Sequence, residues 1–489
     1  MKKDSLRRSI FYRHRVLWGF GFFIIITALL AGYNFWSLPG GLTEAEMTAA
    51  SISGHWSPLA VSASSDWLVN LPWNLLQNTS IHIFGLSTFS VRLPAVILMC
   101  LVAAGMFFLI KKWSRFSLAM IGGLLMSASV LFISLARGGT PAAMALFLIV
   151  CALAAATTIV VDKRSKLVAL AAKIAVGICL ALLIYFPGGL YVTIALLLTG
   201  LLHPKVRLLL VRIKVWKMLL ATLLAFCLML PLIWTVALHW SNGGSETLYQ
   251  LLLFDGQWSI AHLTAVLDAL FGSSADLVQG IMVPVITIVG LLLVVIGITR
   301  ALVDAFSARS YLVLSTLAMT LVISLRQPGL IYLLLLPITL LTALGMEVLI
   351  SKWYSLFPRN PYARGTAVIM LSVLVMAVAC TSLMQYLSNQ NYSSTVAYGY
   401  NMEFRMVRQE IRSRSNEKVK LVVSSDQLAF YQAMQRNYPN LSVVDTLDKI
   451  DATTMILASS GQVVKKTLPS KIITSWHSND PVLLRIYSK

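Results

Sequence analysis

The chain has 489 residues, of which 58% are apolar and only 12% are charged. No water-soluble domain can hide that much apolar surface, so the composition is that of a polytopic membrane protein. The formal charge of +20 would suggest nucleic acid in a soluble protein. Here the basic residues follow the loops between apolar runs, which excludes nucleic acid and makes membrane lipids their partner.

The first apolar run, Val16 to Phe35, lacks a small-residue cleavage site and reads as a retained span behind a cytoplasmic basic tail, residues 1–15. At about 20 residues per span, apolar runs predict eleven membrane helices. They lie near 16–35, 93–110, 116–134, 141–161, 167–186, 189–202, 216–237, 280–299, 310–325, 329–350 and 365–385. The sixth is short and follows Pro187-Gly188-Gly189, which predicts a tilted, re-entrant or broken segment. The five cysteines (Cys100, Cys151, Cys179, Cys227, Cys380) fall within apolar runs without metal-ligand spacing and read as small core residues.

Lysine and arginine number 22 in the tail and the loops 111–115, 162–166, 203–217, 300–309 and 351–364. The intervening loops before the last span hold only three: Arg92, Arg137 and Arg326. The positive-inside rule then places the amino terminus in the cytoplasm, and the loops 36–92 and 238–279 outside, with everything after residue 386. The loop 238–279 carries Glu246, Asp255, Asp268 and Asp276 among amphipathic patches, which predicts short helices on the membrane surface. Past the transmembrane domain, 16–387, strands are predicted at Lys420, Leu441, Met455, Ile472 and Val482, with a helix from Asp426 to Tyr438. Residues 388–489 thus form a small extracytoplasmic α/β domain, and the fold class is a mainly α polytopic membrane protein carrying that domain.

No glycine-rich phosphate cradle and no zinc-type His/Cys spacing occurs in the sequence, so an activated group has to come from a membrane-borne donor. Three of the four acidic residues in the first 150 positions lie between Gly41 and Arg92. Thr43-Glu44-Ala45-Glu46 matches a capping box in which Thr43 caps a helix and Glu46 reaches back to the Thr43 amide. Glu44 is then left over, either as a solvated surface residue or as a general base beside the bilayer. Arg92, Arg137 and Arg326 each stand at a span boundary, where a guanidinium can hold a phosphate bidentately or anchor its helix at the headgroups. Trp56, Trp67 and Trp73 read as an interfacial belt, and Tyr185-Phe186-Pro187-Gly188-Gly189 as a helix break. Lys173 and Glu347 lie near the cytoplasmic ends of their spans and can snorkel.

The acidic pair after the first span is followed by Gly54-His55-Trp56, Asn70-Leu71-Pro72, Phe84-Gly85-Leu86-Ser87 and Val91-Arg92-Leu93-Pro94. Together with Ala136-Arg137, Tyr185 to Pro187 and the loop Leu356 to Arg364, this order resembles the family 39 glycosyltransferases. That group contains the dolichyl-phosphate-mannose protein mannosyltransferases and the aminoarabinose-transferase-like enzymes. The resemblance implies a C-type membrane fold and a polyprenyl-phosphate-sugar donor. It also implies a protein, lipid or cell-wall glycan acceptor on the outer face of the plasma membrane, with a carboxylate of the first outer loop as base and basic side chains on the lipid phosphate. The family's Asp-Glu pair falls on Thr43-Glu44, which gives the base to Glu44. Its Lys-Pro-Pro becomes Asn70-Leu71-Pro72, so Asn70 and Pro72 support the site without a basic residue. No cofactor is required by this reading, and a divalent cation is left open. A catalytically inactive relative that scaffolds envelope assembly is the alternative, and a lipid-linked saccharide transporter a third, which would need mid-membrane polar residues in several spans.

Overall fold

The computed structural model describes residues 14–37, 40–54, 67–161, 166–211, 215–238, 244–253, 259–272, 284–392, 399–413, 417–445, 455–459, 468–474 and 482–487. Residues 1–13 of the basic tail, His55, Trp56, Asp66, Asp255 and Asp276 lie outside the described residues. Helix α1 (Arg15–Gly32) leads into the first long loop, which holds α2 (Glu44–Gly54) and α3 (Leu71–Phe84). The bundle continues with α4 (Thr88–Trp113), α5 (Phe116–Ala128), α6 (Val130–Arg137), α7 (Ala142–Val161), α8 (Lys166–Leu183) and α9 (Gly189–Leu202). Next come α10 (Pro204–Val211), α11 (Val215–Leu238) and two short helices, α12 (Ser245–Leu252) and α13 (Ile260–Phe271). The membrane part closes with α14 (Ile288–Val303), α15 (Ala308–Arg326), a 3-10 turn (Pro328–Leu334), α16 (Leu335–Leu356) and α17 (Pro361–Tyr392).

Each of the eleven expected spans falls on an apolar helix. Among the described residues six helices are long and apolar enough to cross a membrane. The third expected span is not one rod: α5 and α6 meet at 62° and count together as a seventh. The break sits at Ser129, whose hydroxyl donates to the Met126 carbonyl at 2.7 Å and accepts from the Phe132 amide at 3.3 Å. A serine hydroxyl that bonds its own backbone ends one helix and caps the next. The remaining four spans coincide with the shorter apolar helices α1, α8, α9 and α14. As expected, α9 is short, and it is preceded by Gly188 at φ +72°. At the other end of the bundle Glu347 does not merely snorkel: Arg309 Nη1 binds its Oε2 at 3.2 Å.

Helix α17 runs to Tyr392, past the expected boundary at residue 387. The C-terminal domain then holds α18 (Glu403–Ser413), β1 (Val419–Val422), α19 (Ser425–Gln435), β2 (Leu441–Val444), β3 (Met455–Ser459), β4 (Lys471–Thr474) and β5 (Val482–Tyr487). All five expected strands form one sheet of order β2-β1-β3-β5-β4. Strands β2, β1 and β3 run parallel, with Val419 opposite both Leu441 and Met455, and α19 is the crossover that parallel pairing needs. Helix α18 was not anticipated, because its core face consists only of Phe404, Val407 and Ile411 in a charged segment.

The domain is fused to the first long loop. Leu42, Met47, Ala50, Ile81, Leu86 and Val91 share one apolar core with Phe404, Val407, Phe430, Tyr431 and Met434. An antiparallel bridge adds to it, in which the Leu42 amide donates to Asn401 at 3.2 Å and the Asn401 amide donates back at 2.7 Å.

Candidate functional site

The capping box forms as the sequence requires. The Thr43 amide donates to Glu46 Oε2 at 2.8 Å, and the Glu46 amide to Thr43 Oγ1 at 3.1 Å. Glu46 also does something its spacing did not announce: Oε1 accepts from Arg92 Nε at 2.8 Å and from the Gly139 amide at 2.7 Å, and Oε2 accepts from Arg92 Nη2 at 3.0 Å. One buried carboxylate thereby joins the start of α2, the first turn of α4 and the chain after α6. Gly139 is needed for this closeness, since a Cβ there would stand 2.9 Å from the Val91 carbonyl oxygen. Gln77 reinforces the same junction, donating to the Val91 and Gly139 carbonyls at 3.2 Å each.

This geometry corrects the role expected for Arg92. Its side chain is fully buried, its fork is taken up by Glu46, and it also donates to the carbonyls of Phe35 and Gly41. A guanidinium so enclosed is the counter-ion of a structural carboxylate and offers no face to a lipid phosphate. Arg326 stands elsewhere, with Nε on the Leu253 carbonyl at 2.6 Å.

Arg137, the last residue of α6, is different. It is 1% exposed, Nη2 donates to the Leu30 carbonyl at 3.1 Å, and its face lies 5.2 Å from the Tyr386 ring. Among the described residues its Nε and Nη1 meet no hydrogen-bond acceptor. A buried donor without a partner costs about 1–3 kcal/mol, more when charged, so such a group in a stable fold calls for an explanation, an ordered water or an anion among them. The guanidinium faces a tight polar cavity lined by Thr43, Glu46, Ser134, Arg137, Gly138, Tyr386 and Tyr400, which as it stands leaves no room for a water molecule. Ser134, Tyr386 and Tyr400 carried no signal in the sequence, because they come from three segments that only the fold brings together.

Glu44 is exposed at the first position of α2 and does not line that cavity. Asn70 sits before α3 at φ +63°, the left-handed region in which asparagine is among the better-tolerated residues. Its amide donates to the Tyr185 carbonyl at 2.8 Å, and its Oδ1 is buried without a partner among the described residues. Pro72 is buried in the first turn of α3. Trp73 is fully buried and packs in the main core, which corrects its reading as part of an interfacial belt. Among the described residues no three His, Cys, Asp or Glu side chains converge on a metal-sized space.

No protein-family model matches the sequence, and no curated protein is significantly similar to it. Solved structures are. ArnT from Cupriavidus metallidurans in the apo state superposes with a TM-score of 0.51 at 13% identity, over 90% of this chain and 92% of that one. Bound to undecaprenyl phosphate, the same protein gives 0.53 at 13% identity, over 95% and 97%. The apo Archaeoglobus fulgidus oligosaccharyltransferase gives 0.51 at 12% identity, over 87% of this chain and 64% of its own longer one. The chain therefore has the C-type membrane glycosyltransferase fold along nearly its whole length, as a multi-pass membrane protein.

Proposed function

We propose that the protein is a membrane glycosyltransferase that moves a sugar from a polyprenyl-phosphate donor to an extracytoplasmic acceptor in the cell envelope. The observation that carries this reading is the buried, incompletely bonded guanidinium of Arg137, in a chain with this fold. The reaction needs a base and a cation for the leaving phosphate, and the proposal takes these from the exposed Glu44 at the start of α2 and the buried Arg137 at the end of α6. The acceptor hydroxyl attacks the anomeric carbon, its proton passes to Glu44, and the bond from the anomeric carbon to the phosphate oxygen breaks. Polyprenyl phosphate leaves with its charge held by Arg137, an electrostatic contribution that is large in a water-poor site. Arg326, whose Nε binds the Leu253 carbonyl at the end of α12, is the second basic group in this proposal. The acceptor is a protein, lipid or cell-wall glycan.

Transfer from a polyprenyl-phosphate sugar in proteoliposomes tests the reading. Glu44→Gln is expected to lower the rate about 100- to 10,000-fold without altering donor affinity, as loss of a proton-transfer base does. An unchanged rate removes Glu44 from the mechanism. The second reading, an inactive relative that scaffolds envelope assembly, draws support from Thr43, whose hydroxyl is taken up by the helix cap where the family has its aspartate. Any transfer by the wild-type chain excludes it.

A further inference from the structure

The C-terminal domain carries three arginines along one side of α18. Arg405, Arg408 and Arg412 each directly follow one of its core residues, Phe404, Val407 and Ile411, and so share a face. Arg408 Nε donates to the Tyr438 phenol oxygen at 3.4 Å, and Arg412 Nε donates to the same oxygen at 3.1 Å. Among the described residues neither guanidinium meets a carboxylate. Glu410, between them in sequence, accepts instead from Lys471 Nζ at 3.0 Å. Two like charges four positions apart on a helix repel, and a neutral phenol does not cancel them.

The cluster stands where the domain meets the first loop. Arg436, just past α19, donates to the Gly54 carbonyl at the end of α2. A Cβ on Gly85 would touch Asn437 at 3.8 Å, and Gly41 has no room for one beside the Asn401 carbonyl. Tyr438 follows Asn437 directly, so the two arginines converge close to the end of α3. There Leu76, Ile83 and Phe84, seven and eight positions apart on one helix face, are exposed. An amphipathic helix of this kind lies in the membrane interface, level with the lipid headgroups.

The chemistry suits an anion. Burial raises the Tyr438 phenol, but the two guanidiniums outweigh it and hold the group below the ordinary tyrosine range. The two N–H contacts use the acceptor capacity of the phenol oxygen and leave its own proton to donate. The terminal nitrogens of both arginines remain for an oxyanion, which a guanidinium fork meets bidentately.

From this we infer that Arg408, Arg412 and Tyr438 form a binding site for the headgroup phosphate of an anionic membrane lipid, in the leaflet that faces the C-terminal domain. The lipid bridges the two guanidiniums and holds the domain on the membrane beside α3. This site is separate from Arg137 and does not depend on sugar transfer. Free phosphate has the same chemistry and is the competing ligand.

Labelling separates them. The full-length protein in a neutral detergent would be titrated with a phosphatidylglycerol carrying a photoreactive headgroup. Labelling would be read separately in residues 403–441 and in α3, and each variant's thermal midpoint measured. Wild type is expected to label saturably in residues 403–441. Arg408→Gln together with Arg412→Gln is expected to raise the half-saturating lipid concentration there about 10- to 30-fold, the effect of two arginines near an anionic surface. Labelling of α3 and the midpoint should not change. Tyr438→Phe keeps the ring and is expected to raise that concentration about 2- to 10-fold, the range of one hydrogen bond. No labelling of residues 403–441 in wild type, or equal labelling in the double variant, overturns the inference. A loss that only follows a lowered midpoint overturns it too, since the arginines would then be structural. Inorganic phosphate that displaces the label at the lipid's own concentration overturns the lipid as the occupant.

Discussion

Glu46 and Arg92 form an ion pair at 2.8 Å with side chains 1% and 0% exposed, 46 positions apart in the chain. Removing one member leaves the other charge buried, which commonly costs about 3–5 kcal/mol. Glu46→Gln and Arg92→Leu should therefore each lower the thermal midpoint steeply in detergent. The double replacement Glu46→Leu with Arg92→Leu should cost less than the sum. It should not return to wild type, because the Thr43 and Gly139 amides would lose their acceptor. Additive losses would mean that the pair is not coupled.

Arg137 should behave in the opposite sense. Arg137→Met removes two buried donors without partners and is expected to raise stability by about 1 kcal/mol while abolishing polyprenyl-phosphate binding. Arg137→Lys keeps the charge without the planar fork, so binding should fall and remain measurable. A destabilised Arg137→Met protein would show that the guanidinium is structural.

Asn70→Ala is expected to destabilise the fold by about 1 kcal/mol and Asn70→Gly by less, since φ is +63° there and a Cβ is costly in the left-handed region. Equal losses for both, measured by thermal unfolding, would point instead to the Asn70 side chain.

Gly41→Ala should force Leu42 away from Asn401 and loosen the C-terminal domain at a cost of about 1–3 kcal/mol. Limited proteolysis should then release that domain faster than from wild type. Digestion at the wild-type rate would show that the shared apolar core alone holds it.

The membrane helices were legible because each apolar run is a local property, as is the capping box Thr43 to Glu46, which forms with both of its bonds. The strands and the helix α19 could be read from short-range alternation and period in the same way. The 62° break at Ser129 could not, because Thr157 and Ser324 also bond their own backbone within apolar helices that stay unbroken. Helix α18 was missed because its apolar stripe is narrow and finds its partners in the first loop.

By itself the sequence determined where the apolar helices lie along the chain, that a small α/β domain follows them, and which carboxylates and arginines flank the spans. Hydropathy, caps and turn residues act over a few positions and can be read in one dimension. Only the tertiary structure decided what each charge does. Arg92, Arg137 and Arg326 look alike as boundary arginines, yet one is enclosed by Glu46, one faces a small polar cavity with two donors unmet, and one holds a carbonyl of α12's end. The difference arises from close approaches among segments far apart in sequence: the Gly139 amide on Glu46, the Tyr386 ring beside Arg137 and Tyr400 brought in by the C-terminal domain.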